Sequence, residues 1–141
     1  MTTEQTRTLQ ISFDRLWPVN KRVTDMFYDR LFEIAPHTRK LFPDDMELQK
    51  TKFMGMLASA IGLIERQDMF ESQIADLGRR HKRYGVAVAD YAFVGEALLW
   101  SLERALAPDF DENIRAAWLA LYDDTRNIMT KASSLDEPPR T

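Results

Sequence analysis

Apolar residues in this chain recur at steps of three and four and nowhere alternate with period two, which restricts the fold to packed helices. Prolines at positions 18, 36, 43 and 108 cut that pattern at uneven intervals, which favours crossed helices over a regular up-down bundle. Leu9, Phe13, Leu16 and Trp17 mark a first helix over about 4–17, behind threonines at positions 2 and 3. A second helix, about 21–35, carries Val23, Phe27, Leu31 and Ile34 on one side and Thr24, Tyr28 and Phe32 on another. That surface is too wide for a simple two-layer contact. Pro36 opens a short helical turn ending at Phe42, and Pro43 closes it.

Asp44 and Glu47 have capping-box spacing at the head of a long helix reaching about Arg66 along Phe53, Met56, Leu57, Ala60, Ile61 and Ile64. Asp68 and Glu71 repeat the spacing and open a helix that stops at Gly85. Asp90 is placed to cap a helix over about 91–107, which Pro108 ends. Asp109 or Asp111 caps the last helix, to about Ala132, and residues 133–141 are expected to be loose. The fold class is all-α, with six helices, one short turn and no sheet.

At 141 residues, 45% of them apolar, one domain and one core are expected, spanning 1–141 with its body over about 4–132. The net charge is −3 and the basic residues are spread along the chain, which disfavours nucleic-acid binding. The absence of cysteine excludes disulfides, thiolate metal sites and a cysteine nucleophile. No apolar run approaches a membrane span and the polar start is not a signal peptide, so a cytoplasmic protein is expected.

The chemistry-bearing stretch is Ile74 to Val86. At helical spacing Ile74, Leu77, His81 and Tyr84 share a face, while Arg79, Arg80, Lys82 and Arg83 crowd the others. A lone imidazole on an apolar stripe fits a buried core histidine. It also fits a single bond to a metal that brings its other ligands with it, as haem iron does. A closed four-ligand metal site cannot be built from it. His37, with no partner at ligand spacing, reads as a surface residue.

From about Leu9 to Ala132 the chain resembles a globin, in particular the bacterial single-domain globins related to the haem domain of flavohaemoglobins. Five segments carry the resemblance in order and spacing: Phe27 to Phe32, Pro36 to Phe42, Arg79 to Val86, Tyr91 to Gly95, and Ala117-Trp118 through Tyr122. The resemblance implies a globin fold around a haem b pocket. His81 would be the proximal iron ligand and Phe42 the phenylalanine stacked on the haem, although spacing alone makes Phe42 a core aromatic. Tyr28 and Gln49 would be the distal tyrosine and glutamine, with Phe53 beside the bound gas. Leu77, Val86, Tyr91 and Val94 would complete the cofactor contacts. The short connection after Phe42 leaves Leu48 and Lys50 as alternatives to Gln49; Phe53 on the same stripe favours Gln49. In that register Lys52 faces the haem edge and a propionate, or is simply solvated. The cationic cluster around His81 could meet propionates, and as a solvated helix face it needs no ligand.

The resemblance also implies what such a pocket does. His81 would fill the fifth iron position and leave the sixth to a diatomic gas, oxygen, nitric oxide or carbon monoxide, with Tyr28 and Gln49 stabilising partial negative charge on oxygen. Flavohaemoglobins hold the ligand histidine with a tyrosine and a glutamate. Tyr91 fits the tyrosine, but the glutamate position falls near Ser133, so electron donation to iron is expected to be weaker. Reversible oxygen binding, as in storage or transport, is the first expected function. Nitric oxide dioxygenase activity is the second; with no room for a flavin domain after the last helix, it would need a separate reductase. A haem-based sensor is the third.

Overall fold

The computed structural model describes residues 1–135, in which all regular structure is helical. Six α-helices follow in order: α1 (Thr3–Leu16), α2 (Asn20–Ile34), α3 (Glu47–Leu63), α4 (Gln67–Arg83), α5 (Asp90–Leu106) and α6 (Glu112–Leu135). Short 3-10 turns occupy Trp17–Val19 and Pro36–Leu41. The break expected at Pro18 is therefore itself a helical turn, with proline in its first positions.

The core is built by pairs of helices that cross. Helix α6 packs on both α1 and α4, and α2 packs on α5. Trp118 of α6 is fully buried, and its indole Nε1 donates to Ser12 Oγ on α1 at 2.9 Å. The indole thus enters the core with its one polar atom satisfied. Where α4 crosses α6 the backbones nearly touch. A Cβ at Gly78 would stand 2.6 Å from Met129 Cα, so only glycine allows that approach. At the α5–α6 crossing, Gly95 makes room for the Tyr122 ring in the same way.

Helix ends follow local chemistry where the sequence supplies it. Thr2 and Gln5 form a reciprocal capping box at the head of α1, each bond 3.0 Å long. Asp111 Oδ1 accepts from the Ile114 N–H at 2.9 Å and caps α6. Three expected caps do not form. Asp45 rather than Asp44 accepts the Glu47 N–H, because the loop after Phe42 turns one residue later. Asp68 lies inside the first turn of α4, which starts at Gln67, and there its charge complements the helix dipole. Asp90 is the first residue of α5, and its carboxylate bonds backward to the Ala87 N–H.

Helix α4 ends as Gly85 requires. Gly85 has φ +93°, the Val86 N–H donates to the His81 carbonyl at 3.1 Å, and the Gly85 N–H donates to that of Lys82 at 3.0 Å. At the other end of the chain, residues 133–135 are helical rather than loose. The Ser133 hydroxyl reaches Met129 O at 2.8 Å and Gly78 O at 3.1 Å, while Lys82 Nζ donates to Ser133 O at 3.1 Å. These bonds hold the last turn of α6 against α4. The rest of the expected tail lies outside the described residues.

Candidate functional site

His81 sits one turn before the glycine stop of α4 and is half-buried. Its Nδ1 lies 2.9 Å from the Leu77 carbonyl. A carbonyl can only accept, so Nδ1 carries the hydrogen and the neutral tautomer leaves a lone pair on Nε2. Burial lowers the His81 pKa; the Leu77 carbonyl opposes that shift and the Arg80 charge adds to it. The ring is therefore kept neutral, the form in which imidazole binds a metal. Leu77 and Val86, on either side of it in the chain, are half-buried and pack on the core.

A second cluster gathers at the α2–α3 crossing and the turn between those helices. Tyr28 is 2% exposed, and its phenol oxygen accepts from Gln49 Nε2 at 3.3 Å. Because the amide supplies that hydrogen, the Tyr28 O–H remains able to donate elsewhere. Desolvation pushes the Tyr28 pKa up to about 12, with the Gln49 bond opposing, so the phenol stays protonated. Phe53 stacks on Phe27 with centroids 4.4 Å apart and meets Tyr28 edge-on at 5.8 Å. Phe42 meets Tyr28 edge-on at 5.5 Å and Phe32 at 5.6 Å. These rings make an apolar wall around two polar tips.

The neighbours of Gln49 point elsewhere. Lys50 Nζ pairs with Asp25 Oδ1 on α2 at 2.8 Å, and Leu48 is 65% exposed. Of residues 48, 49 and 50, it is Gln49 that reaches Tyr28. Lys52 is exposed and makes no hydrogen bond or ion pair among the described residues.

The short turn that carries Phe42 is fastened to the region after His81. His37 Nε2 donates to Asp90 Oδ1 at 2.7 Å, and its ring meets Phe93 edge-on at 5.8 Å. The Leu41 side chain lies 3.7 Å from where a Cβ on Gly85 would stand. His37, expected at the surface, is 53% exposed through its side chain, yet it is paired to a carboxylate that is only 9% exposed. Sequence reading missed this clasp because its partners are 53 positions apart and neither has a local signal. Val94, on α5, is half-buried against the core.

Tyr91 does not hold His81. Among the described residues its hydroxyl makes no hydrogen bond, while its backbone carbonyl accepts from the Tyr122 hydroxyl. The histidine is held by a neutral carbonyl of its own helix, and Ser133 spends its hydroxyl on the α4 and α6 backbones. Of the cationic cluster, Arg80 pairs with Asp76 on its own helix at 3.4 Å and Lys82 reaches the end of α6.

The Globin family profile matches residues 25–129. The chain belongs to the globin family. Neuroglobin of Danio rerio is 30% identical to it, over 75% of this chain and 76% of that protein. Among solved structures, an engineered carbene transferase made from a candidate nitric oxide dioxygenase of Rhodothermus marinus superposes with a TM-score of 0.85. The two are 24% identical, with 96% of this chain and 94% of that one covered. A bacterial globin from Campylobacter jejuni gives 0.83 at 22% identity, with 95% and 97% covered. At these identities the two structures establish the globin fold.

This globin is accordingly a haem protein that binds diatomic gases. Its donor set suits such a cofactor. One neutral imidazole offers one lone pair, and among the described residues no group of three or more His, Cys, Asp or Glu could hold a bare metal ion. No helix among the described residues is long and apolar enough to cross a membrane.

Proposed function

We propose that this globin binds oxygen reversibly at haem b, with His81 Nε2 as the protein's ligand to iron and Tyr28 and Gln49 as the distal hydrogen-bonding pair. The observation that carries this reading is the 3.3 Å bond from Gln49 Nε2 to the buried Tyr28 oxygen, which leaves the phenol hydrogen available inside an aromatic wall. When bound, haem would supply the iron chemistry that takes up a diatomic gas, with His81 as the residue that would hold it. The Tyr28 O–H, left free by the Gln49 amide, would be the donor offered to a gas molecule that takes on partial negative charge. Gln49 keeps that phenol oriented, and Phe27, Phe42 and Phe53 lower the local dielectric so that the bond counts for more. Carbon monoxide, being less polar, gains less.

Reversible binding is preferred to redox turnover because the Leu77 carbonyl, rather than a carboxylate, holds His81. The distal pair would equally serve nitric oxide dioxygenation with electrons from a separate reductase; the parent of the Rhodothermus marinus neighbour is a candidate nitric oxide dioxygenase. Two measurements separate the readings: oxygen dissociation from the ferrous protein, and nitrate yield over repeated exposure to nitric oxide with and without a cellular reductase. Slow, fully reversible oxygen release with a single stoichiometric nitrate yield supports the carrier. Sustained nitrate formation that depends on the reductase supports the enzyme.

A further inference from the structure

Beside the Gln49–Tyr28 bond runs a second tie between the same two helices. Lys50, the next residue on α3, donates from Nζ to Asp25 Oδ1 on α2 at 2.8 Å. Adjacent side chains of α3 thus reach Asp25 and Tyr28, which lie about one turn apart on one face of α2. Neighbouring residues on a helix point about 100° apart. The pair therefore grips α2 at two points, and α3 cannot roll about its axis to relax one bond without disturbing the other.

Local chemistry does little to fix the head of α3. Met46, at its N-cap position, supplies no side-chain hydrogen bond, and Asp45 Oδ1 accepts only the Glu47 N–H. Residues 42–46 before it form no helix or strand. The register of the first turn is thus set by its ties to α2. Lys21 adds a weaker tie, lying 3.9 Å from Asp25 Oδ2 and 3.7 Å from Glu47 Oε2. Its side chain is 72% exposed, so water and salt screen it. The Lys50 side chain is 20% exposed and its bond is shorter, so Lys50 is the stronger anchor.

We propose that Lys50 and Asp25 are positioning residues: their ion pair holds the head of α3 in the register that lays the Gln49 amide on the Tyr28 oxygen, and through that amide it slows release of the gas. The inference rests on the distal role given above to Tyr28 and Gln49. A 3.3 Å bond between neutral groups is a weak restraint on a long, rotamer-rich side chain and on the helix that carries it. The charge-assisted bond one residue on supplies what it lacks.

The test uses the haem-loaded protein, ferrous and capped with carbon monoxide, in which nuclear Overhauser effects between the Gln49 side-chain amide and the Tyr28 ring report their contact. Wild type should show these effects and Lys50→Met should lose most of their intensity, while Lys50→Arg, which keeps the charge, should restore them. Asp25→Ala removes the other partner and should lose them too, so the outcome does not hang on one variant. Oxygen dissociation should speed about threefold in Lys50→Met, short of the Gln49→Ala effect, because the amide still visits Tyr28 part of the time. In a Gln49→Ala background Lys50→Met should add nothing. A general loosening of the fold would speed release equally in both backgrounds, and that result overturns the proposal. Amide–ring contacts that persist in both Lys50→Met and Asp25→Ala, or that are absent from wild type, overturn it as well. Release from Gln49→Ala at the parental rate would sink the distal role of Gln49, and with it the effect on the gas; the hold of Lys50 on the amide would still be decided, for or against, by the amide–ring contacts.

Discussion

The imidazole of His81 is tied by Nδ1 to the carbonyl of Leu77, one turn back on the same helix, at 2.9 Å. That bond fixes the tautomer, and burial lowers the pKa. A histidine whose folded pKa lies below its unfolded value of about 6.5 binds fewer protons folded than unfolded as the pH falls through that window. Its contribution to stability is therefore complete above about pH 6.5 and is lost on acidification towards the lowered pKa. Thermal unfolding of the haem-free protein should show a falling midpoint below about pH 6.5, and His81→Gln should flatten that part of the profile. A wild-type midpoint that rises on acidification would contradict the buried neutral ring.

Replacing the same residue tests the proposed ligand. His81→Ala should lose the sharp Soret band after haem reconstitution and release haem to an acceptor globin much faster than the parent. Unchanged retention would remove His81 from the proximal position.

Oxygen release should report the distal pair. Each hydrogen bond is worth on the order of 1 kcal/mol, so Tyr28→Phe and Gln49→Ala should each speed dissociation several-fold to tenfold by stopped-flow. The Gln49 variant should fall short of the Tyr28 variant, because it reorients a donor without removing it. With a Tyr28 pKa pushed up to about 12, ultraviolet titration should show no phenolate signal from this residue below about pH 11.

Gly78 and Gly55 make a controlled pair. A Cβ at Gly78 would stand 2.6 Å from Met129 Cα and 2.7 Å from its carbonyl oxygen, whereas one at Gly55 meets nothing within 4 Å. Gly78→Ala should cost about 1–3 kcal/mol or more by forcing α4 and α6 apart, and Gly55→Ala should stabilise by about 0.5–1 kcal/mol through helix propensity. Denaturant midpoints at unchanged slope would measure both.

The clasp between His37 and Asp90 should be lopsided. Asp90→Ala removes the acceptor of both the Ala87 N–H and the His37 ring from a buried position, at a cost of about 1–3 kcal/mol. His37→Ala removes a half-exposed donor and should cost about 1 kcal/mol or less. Equal losses in thermal or denaturant unfolding would show that the clasp acts as one unit.

Helix number, order and the glycine stop of α4 were legible because they rest on apolar periodicity and on residues with fixed backbone habits. Pro36, Gly85 and Thr2 act within a few positions of themselves, and the structure uses each. The caps at Asp44, Asp68 and Asp90 misled because a cap depends on how the preceding loop approaches, and tertiary packing decides that. The loop before α3 turns at Asp45, and Asp90 is drawn to His37. Gln49 could be ranked above its neighbours from the stripe it shares with Phe53. The Lys50–Asp25 and Gln49–Tyr28 contacts that distinguish the three side chains span 25 and 21 positions. The Ser133 bonds that extend α6 past Ala132 reach Gly78, 55 positions away, and no local pattern encodes them.

His81 is held from both sides, its ring by Leu77 and its carbonyl by the Val86 N–H across the glycine turn. The ring and the end of its helix therefore form one mechanical piece. Unwinding that begins at Gly85 would undo the backbone anchor of His81 before it reached Leu77, so the firmness of a single left-handed residue sets how long the imidazole keeps its aim.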